Sequence, residues 1–338
     1  MSEETLTMPT RVEKKKTFFS WPLFKQSLKA NWVLWLALTL GSAAIFIIIN
    51  LVIGSKKIFT NIDMAAVSVY VEEENLNWLT LLGFLEHMGF SLNRIQALSQ
   101  VDINSIINDL IYKITGVLLP MIYVMIVSNK LIASQVSDGS MAYILSTPTN
   151  RKKVLRTQYL FLILSIVAMY IIIAISALGS EGIANIILRN TYGDEAVAPI
   201  GYRFIRTTLY SVGSMLAIFG LTGICFGASA YCNKSNKSIA FGGGICVLCF
   251  ICCILGLFGN KVFIAVGVGV ESMNIFNYVT LFTLIDTENI NNFCKAISGM
   301  EDGMMNFYWL YEFLILIVIG LVGAFIGALK FTKKDLPL

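Results

Sequence analysis

Apolar residues along this chain gather into long uninterrupted runs, and polar ones collect in the gaps between them. The run at 32–53 carries no charge and is long enough to cross a hydrocarbon core of roughly 30 Å. Five further runs, at about 114–131, 158–178, 207–231, 238–258 and 307–329, are bracketed by charges or turn residues. The second is the shortest, and its helix is expected to continue outward through Ile106 and Ile111. Six transmembrane helices of an all-α polytopic membrane protein follow. Composition agrees: 56% of the 338 residues are hydrophobic and 14% charged, where a soluble domain carries about 25% charged.

The gaps divide the chain into a polar tail at 1–17, an amphipathic segment at 18–31 and the six-span domain at 32–338. The tail ends in Lys14, Lys15 and Lys16, suited to the cytosol beside anionic lipid. In 18–31, Trp21, Phe24, Leu28 and Trp32 share one helical face, with Lys25 and Lys29 away from it. Two readings fit: an interfacial helix in the headgroup plane, or an extension of the first span. The outer loop at 54–113 is too long for a plain connector, and its aromatics and leucines suggest amphipathic helices. His87, the single histidine, lies there as a surface or packing residue. A second outer loop at 181–206 is rich in turn residues. Before the last span, the apolar pieces 262–270 and 275–285 are too short to cross. They suggest a re-entrant or interfacial hairpin, with a plain loop as the alternative.

One polar stretch between spans has local structure of its own. Residues 133–156 read ASQVSDGSMAYILSTPTNRKKVLR. Asp138-Gly139 breaks the preceding helix, because glycine accepts backbone angles that other residues resist. Met141, Ile144 and Leu145 recur at i, i+3 and i+4, giving a short helix one apolar face. Pro148 ends it, Thr149 or Asn150 caps the next, and Arg151, Lys152, Lys153 and Arg156 fill that helix's first turns. A two-turn helix at a membrane surface is a handle for another protein; the plainer alternative is a solvated connector.

Charge sets the orientation. Sixteen of the 25 Lys and Arg residues fall on the side of this stretch and both termini, and nine on the other, in much longer loops. By the positive-inside rule both termini and 133–156 are cytosolic. No cleavable signal peptide is read at the N-terminus, since about thirty polar or amphipathic residues precede the first apolar run.

Candidate chemistry is sparse. Cys246, Cys249, Cys252 and Cys253 lie in an apolar run without the polar second shell that metal ligands need, and are expected to pack rather than bind. Ionisable residues are nearly absent from the spans, Glu312 being the main exception, expected to snorkel or pair with a tyrosine. Glycines at 242–244 and at 320, 323 and 327 allow close helix approach. No P-loop, metalloprotease motif, nucleophile elbow or paired intramembrane carboxylates occur. No catalytic residue, metal site or cofactor site is therefore assigned.

The segment LIASQVSDGSMAYILSTPTNRKKVLRTQ resembles the first cytosolic loop of bacterial type-2 ABC transporter permeases. Gly139, Ser140, Leu145, Ser146, Pro148 and Arg151 match the family pattern; Gln135, Ser137 and Asn150 depart from it. The tail FTKKDLPL and the stretch NIFNYVTLFTLIDTENI, with its acidic, Asn-rich turn, resemble the family's ending and the segment before its last span. The resemblance implies an export permease of the bacterial plasma membrane that is not itself an enzyme. It pairs as a homodimer or heterodimer and binds two cytosolic ABC ATPase subunits, which carry the ATP and Mg. No nucleic-acid partner is implied. Asp138, Gly139, Ser140, Met141, Ile144, Leu145, Pro148 and Arg151 are the ATPase-coupling residues it implies. Cargo in the family ranges over lipids, glycans, drugs and peptides, and the long first outer loop points toward peptide, drug or ion efflux. A non-transporting anchor or sensor for an ATPase, or an intramembrane enzyme, is the alternative.

Overall fold

A computed structural model describes residues 19–52, 109–146, 149–193, 198–259, 264, 269–300 and 303–333. The protein is all-α, and six helices among the described residues are long and apolar enough to cross a membrane. The segment 54–108, His87, most of 262–270, Pro148 and the final DLPL lie outside the described residues.

Helix α1 (Trp21–Val52) runs unbroken from the amphipathic segment into the first crossing. Along it, five uncharged polar side chains face inward. Ser27, Asn31, Thr39, Ser42 and Asn50 are buried, while Trp21, Leu28, Trp32, Val33, Leu40 and Ile48 are exposed. In water this would be inside-out, but in lipid an apolar outer surface is the favourable one and polar groups join the helices. The partner is α5 (Arg151–Tyr192). Ser27 donates to Gln158 Oε1 at 2.9 Å, Trp35 Nε1 to the Ser165 carbonyl at 2.8 Å, and Asn50 Nδ2 to Ser180 Oγ at 2.9 Å.

A π-helical turn (Asp109–Thr115) leads into α2 (Gly116–Leu131). Pro120 within α2 cannot donate to the Gly116 carbonyl one turn back. The buried Tyr170 hydroxyl donates to that carbonyl instead, at 2.9 Å. Two short helices follow, α3 (Ala133–Ser137) and α4 (Ser140–Ser146).

Helix α5 departs most from the sequence expectation. It has 42 residues and so extends about 63 Å, roughly twice a hydrocarbon core. The expected loop at 181–206 is helical as far as Tyr192, and α6 (Ile200–Tyr231) begins at once after Pro199. Only 193–199 connect them, opening on Gly193 at φ 85°. The inward face explains the continuity. Ile173, Ala177, Ser180, Glu181, Ala184 and Leu188 are all buried, so a helical stripe passes straight through the supposed boundary.

Helix α6 is the most enclosed of the six. Its closest partner is α10 (Tyr308–Lys333), along a seam of glycines. A Cβ built at Gly223 would overlap the Gly320 carbonyl oxygen, and one at Gly227 would overlap that of Gly323. The fifth crossing is made of α7 (Ser235–Ser238), a π turn (Ile239–Gly243) and α8 (Gly244–Leu257). Cys246, Cys249, Cys252 and Cys253 are buried on its inward side, with Cys246 Sγ 3.2 Å from Cys225 Sγ of α6.

Between the fifth and last crossings lie two 3-10 helices (Glu271–Tyr278 and Leu281–Leu284) and then α9 (Thr287–Ile297). An acidic, Asn-rich turn was expected where α9 stands. Asp286 caps it instead, accepting from the Asn289 amide at 2.9 Å. Ile290, Phe293 and Cys294 bury one face at helical spacing.

Candidate functional site

Hydrogen bonds place α3 and α4 at one end of the bundle, here the loop end. The Ala133 amide donates to Ser229 Oγ at 3.0 Å, Asn129 Nδ2 to Ser235 Oγ at 2.8 Å, and Lys130 Nζ to the Ala30 carbonyl at 2.8 Å. The Ser20 amide reaches Thr157 Oγ1 at 3.1 Å. The starts of α1 and α5, the end of α6 and the α2–α3 junction are thereby tied together by neutral groups and one lysine.

The break between α3 and α4 falls at Asp138-Gly139, with Gly139 at φ 72°. That is the left-handed region, where a Cβ is penalised. Ser134 donates to Asp138 Oδ2 at 3.0 Å and Ser140 to the Gln135 carbonyl at 3.2 Å, closing the turn. Thr149 Oγ1 donates to the Ile144 carbonyl at 2.8 Å, so it closes α4 rather than capping α5. Asn150 is the cap residue of α5 by backbone angle, and Arg151 is that helix's first residue.

The apolar face of α4 turns inward. Met141 is 2% exposed and belongs to the main core, and Ile144 and Leu145 are half-buried against it. The face expected to reach outward to a partner instead holds the loop to its own bundle. What stands out is Tyr143, 80% exposed, flanked by exposed Ser137, Asp138, Gly139, Ser140 and Ser146. Sequence reasoning did not single out Tyr143, although period 3.6 puts it opposite Met141, Ile144 and Leu145.

The opposite, far end holds a charged cluster that sequence reasoning missed. Glu181 of α5 accepts from Arg203 Nε at 2.7 Å and Arg206 Nη2 at 3.2 Å, both on α6. Thr207 Oγ1 donates to the other carboxylate oxygen at 3.4 Å. The charged side chains are 7, 6 and 12% exposed respectively. Arg206 lies over the Tyr202 ring, 5.2 Å from its centroid, and the Tyr202 hydroxyl donates to Asn291 Oδ1 of α9. Tyr210 donates to the Thr287 carbonyl at 3.0 Å and packs its ring 5.1 Å from that of Tyr112. Cys294 of α9 is fully buried nearby; burial pushes its thiol up to about 12, and Arg206 pulls the other way.

Three residues expected in the outer loop 181–206 thus form an ion-paired knot joining α5, α6 and α9. These charges lie on α5 and α6 beyond the apolar runs 158–178 and 207–231, which themselves carry no Asp, Glu, Lys or Arg. Glu312 is half-buried with Asp286 and Lys113 as its electrostatic neighbours, not a tyrosine. No cluster of three or more His, Cys, Asp or Glu that could hold a metal ion occurs among the described residues. Chemically, the far end can hold charge and the loop end can present an aromatic knob.

A family model described as ABC-2 family transporter protein matches residues 88–336, which takes in every described element except α1. No curated protein and no solved structure matches the chain.

Proposed function

The chain belongs to the ABC-2 family of transporter proteins and is a membrane permease component, and from that premise we propose that it couples ATP hydrolysis on separate subunits to export of an amphipathic substrate. Two cytosolic ABC ATPases carry the ATP and Mg, and a second permease copy, identical or related, completes the complex. The loop end faces the cytosol, as the distribution of Lys and Arg supports. The plasma membrane of a bacterium is the setting, and the peptide, drug or lipid classes are the cargo.

The observation that carries the reading is α4 itself, a short helix fixed to the bundle by Met141 and presenting Tyr143 outward. A helix anchored on one side transmits a push, whereas a free connector would absorb it. In this reading Asp138, Gly139 and Ser140 set the angle of α4, and Met141, Ile144 and Leu145 seat it. Pro148 and Arg151 bound the loop, and Tyr143 makes the outward contact.

Co-purification with the cognate ATPase in nanodiscs, followed by mass measurement, is expected to give two permeases with two ATPases. A one-to-one complex with full transport would overturn the pairing. A cysteine at Ser140, with the native thiols removed, is expected to resist impermeant reagent in intact cells and react in inverted vesicles. Labelling in intact cells would reverse the orientation.

A further inference from the structure

The far-end cluster holds more positive charge, and more hydrogen-bond donors, than it uses. Among the described residues, Glu181 supplies one negative charge to the cluster, whereas Arg203 and Arg206 supply two positive ones. A guanidinium keeps its proton in a protein, so the excess does not titrate away. Among the described residues, three buried nitrogens there meet no acceptor: Arg203 Nη1, Arg206 Nε and Asn185 Nδ2. All three are N–H donors. Each arginine nitrogen belongs to a guanidinium already fixed to the Glu181 carboxylate, and Asn185, 1% exposed, follows Glu181 by one turn of α5. Two of the three thus sit on guanidiniums paired with the Glu181 carboxylate, and the third is on the helix that carries it, one turn on.

Among the described residues, the acceptors of the cluster each already take a donor. Glu181 Oε1 takes both arginines and Oε2 takes Thr207. Asn291 Oδ1 takes Tyr202, and the Thr287 carbonyl takes Tyr210. Buried donors left unanswered are costly, and an uncompensated buried charge more so. An acceptor-only group with one negative charge would answer both. A planar or tetrahedral oxyanion fits best, because guanidinium edges bind two oxygens side by side and the Asn185 amide adds a neutral donor.

We propose that Asn185, Arg203 and Arg206 form a binding site for a singly charged oxyanion, a carboxylate or a phosphodiester, at the far end of α5 and α6. Arg203 and Arg206 carry the charge recognition, Asn185 adds the neutral donor, and Glu181 holds both guanidiniums in place. The site goes beyond the transport reading and does not depend on it, since binding needs neither ATPase nor cargo movement.

The test is thermal unfolding of the purified full chain in a neutral detergent, titrated with N-acetylglycine or with dihexanoyl phosphatidylglycerol. N-acetylglycinamide, which lacks the charge, is the control. A saturable rise in the unfolding midpoint is expected with at least one anion and none with the amide. A response to N-acetylglycine alone assigns a carboxylate ligand, to the phospholipid alone a lipid headgroup, and to both the shared oxyanion chemistry. Asn185→Leu leaves the ion pairs intact and is expected to weaken half-saturation about tenfold, the loss of one hydrogen bond to a charged group. Arg203→Met should abolish the response. The proposal is overturned if neither anion shifts the wild-type midpoint, or if Asn185→Leu responds like wild type.

Discussion

The two ends of this bundle solve the same problem, joining helices of one chain, with different chemistry. At the loop end the ties are hydroxyls, amides and backbone groups, Ser229 to Ala133, Asn129 to Ser235 and Ser20 to Thr157, with one exposed ammonium, Lys130 to Ala30. At the far end they are a carboxylate and two guanidiniums, enclosed and linked through tyrosines to α9. Neutral ties cost little to desolvate and can be remade in a shifted geometry. A buried ion pair is expensive to form and more expensive to half-break. The loop end is therefore the easier of the two to shift, and the far end the one suited to hold its arrangement or exchange it for another charged one.

Removing the acid is the largest expected blow to that contrast. Glu181→Ala leaves two buried guanidiniums facing each other and should cost about 3–5 kcal/mol, read as a lowered unfolding midpoint. It should also open α9. With the other six cysteines removed, Cys294 is expected to resist maleimide at neutral pH in the parent, because it is buried and burial pushes its thiol up to about 12. In the Glu181→Ala variant it should be labelled. The sign of the pH effect follows from the same raised thiol. The folded state keeps the proton that an unfolded thiol releases from about 9, so this contribution is complete below pH 9 and lost as pH climbs toward 12. A Glu181→Ala variant with an unchanged midpoint would mean that the far end is not held by its charges.

Next comes Met141→Asp. A carboxylate at a position 2% exposed has no partner and should cost several kcal/mol. The loss should appear as reduced yield and a lower midpoint even without any ATPase. Ile144→Asp, half-buried, should cost less. Equal, wild-type stability in both would return the α4 face to the outside.

Legibility differed between the ends for a physical reason. Apolar runs report where lipid or core must be, and all six crossings were visible that way. The break at Gly139 and the helix after it were visible too, because local backbone chemistry makes them. The direction in which α4 faces was not, since an apolar face looks the same whether it docks on a partner or on its own bundle. The far end was hidden by a boundary rule. The span was ended at 178 and a loop begun at the charged Glu181, yet Ala184, Asn185 and Leu188 continue the buried stripe beyond it. Partners 22 and 25 residues away neutralise that acid, and no local pattern announces such pairing. Had the stripe been followed instead of the charge, α5 would have come out at its true length. The helix at Thr287–Ile297 was readable as well, from Asp286 as cap and Ile290, Phe293, Cys294 and Ile297 at helical spacing.

A smaller effect separates tie from packing at the loop end. Ser229→Ala deprives the buried Ala133 amide of the hydroxyl it donates to. It should cost about 1–3 kcal/mol, the penalty of an unanswered buried donor. Hydrogen exchange across α3 and α4 should quicken while α9 is unchanged. If exchange quickened at both ends alike, the two would form one cooperative unit and the contrast would fall.

The smallest effect on the fold is expected where the effect on function is expected to be large. Tyr143 is 80% exposed, so Tyr143→Ser should change stability by no more than about 0.5 kcal/mol. An exposed aromatic on a rigid mount is the kind of residue that dominates a protein contact, worth about 2 kcal/mol or more when truncated. At that size, affinity for the ATPase should fall roughly thirtyfold. Tyr143→Phe keeps the ring and should keep most of the affinity, which separates a filled socket from a bond to the hydroxyl. Lys234→Ala, in the turn between α6 and α7, is the control for a general loss of positive charge at this end. The decisive pairing is with Met141→Asp: that variant should lose stability first and binding as a consequence, whereas Tyr143→Ser should lose binding at wild-type stability. If Tyr143→Ser retains full ATPase affinity, α4 is not the contact, and its burial through Met141 serves only to tie down a connector.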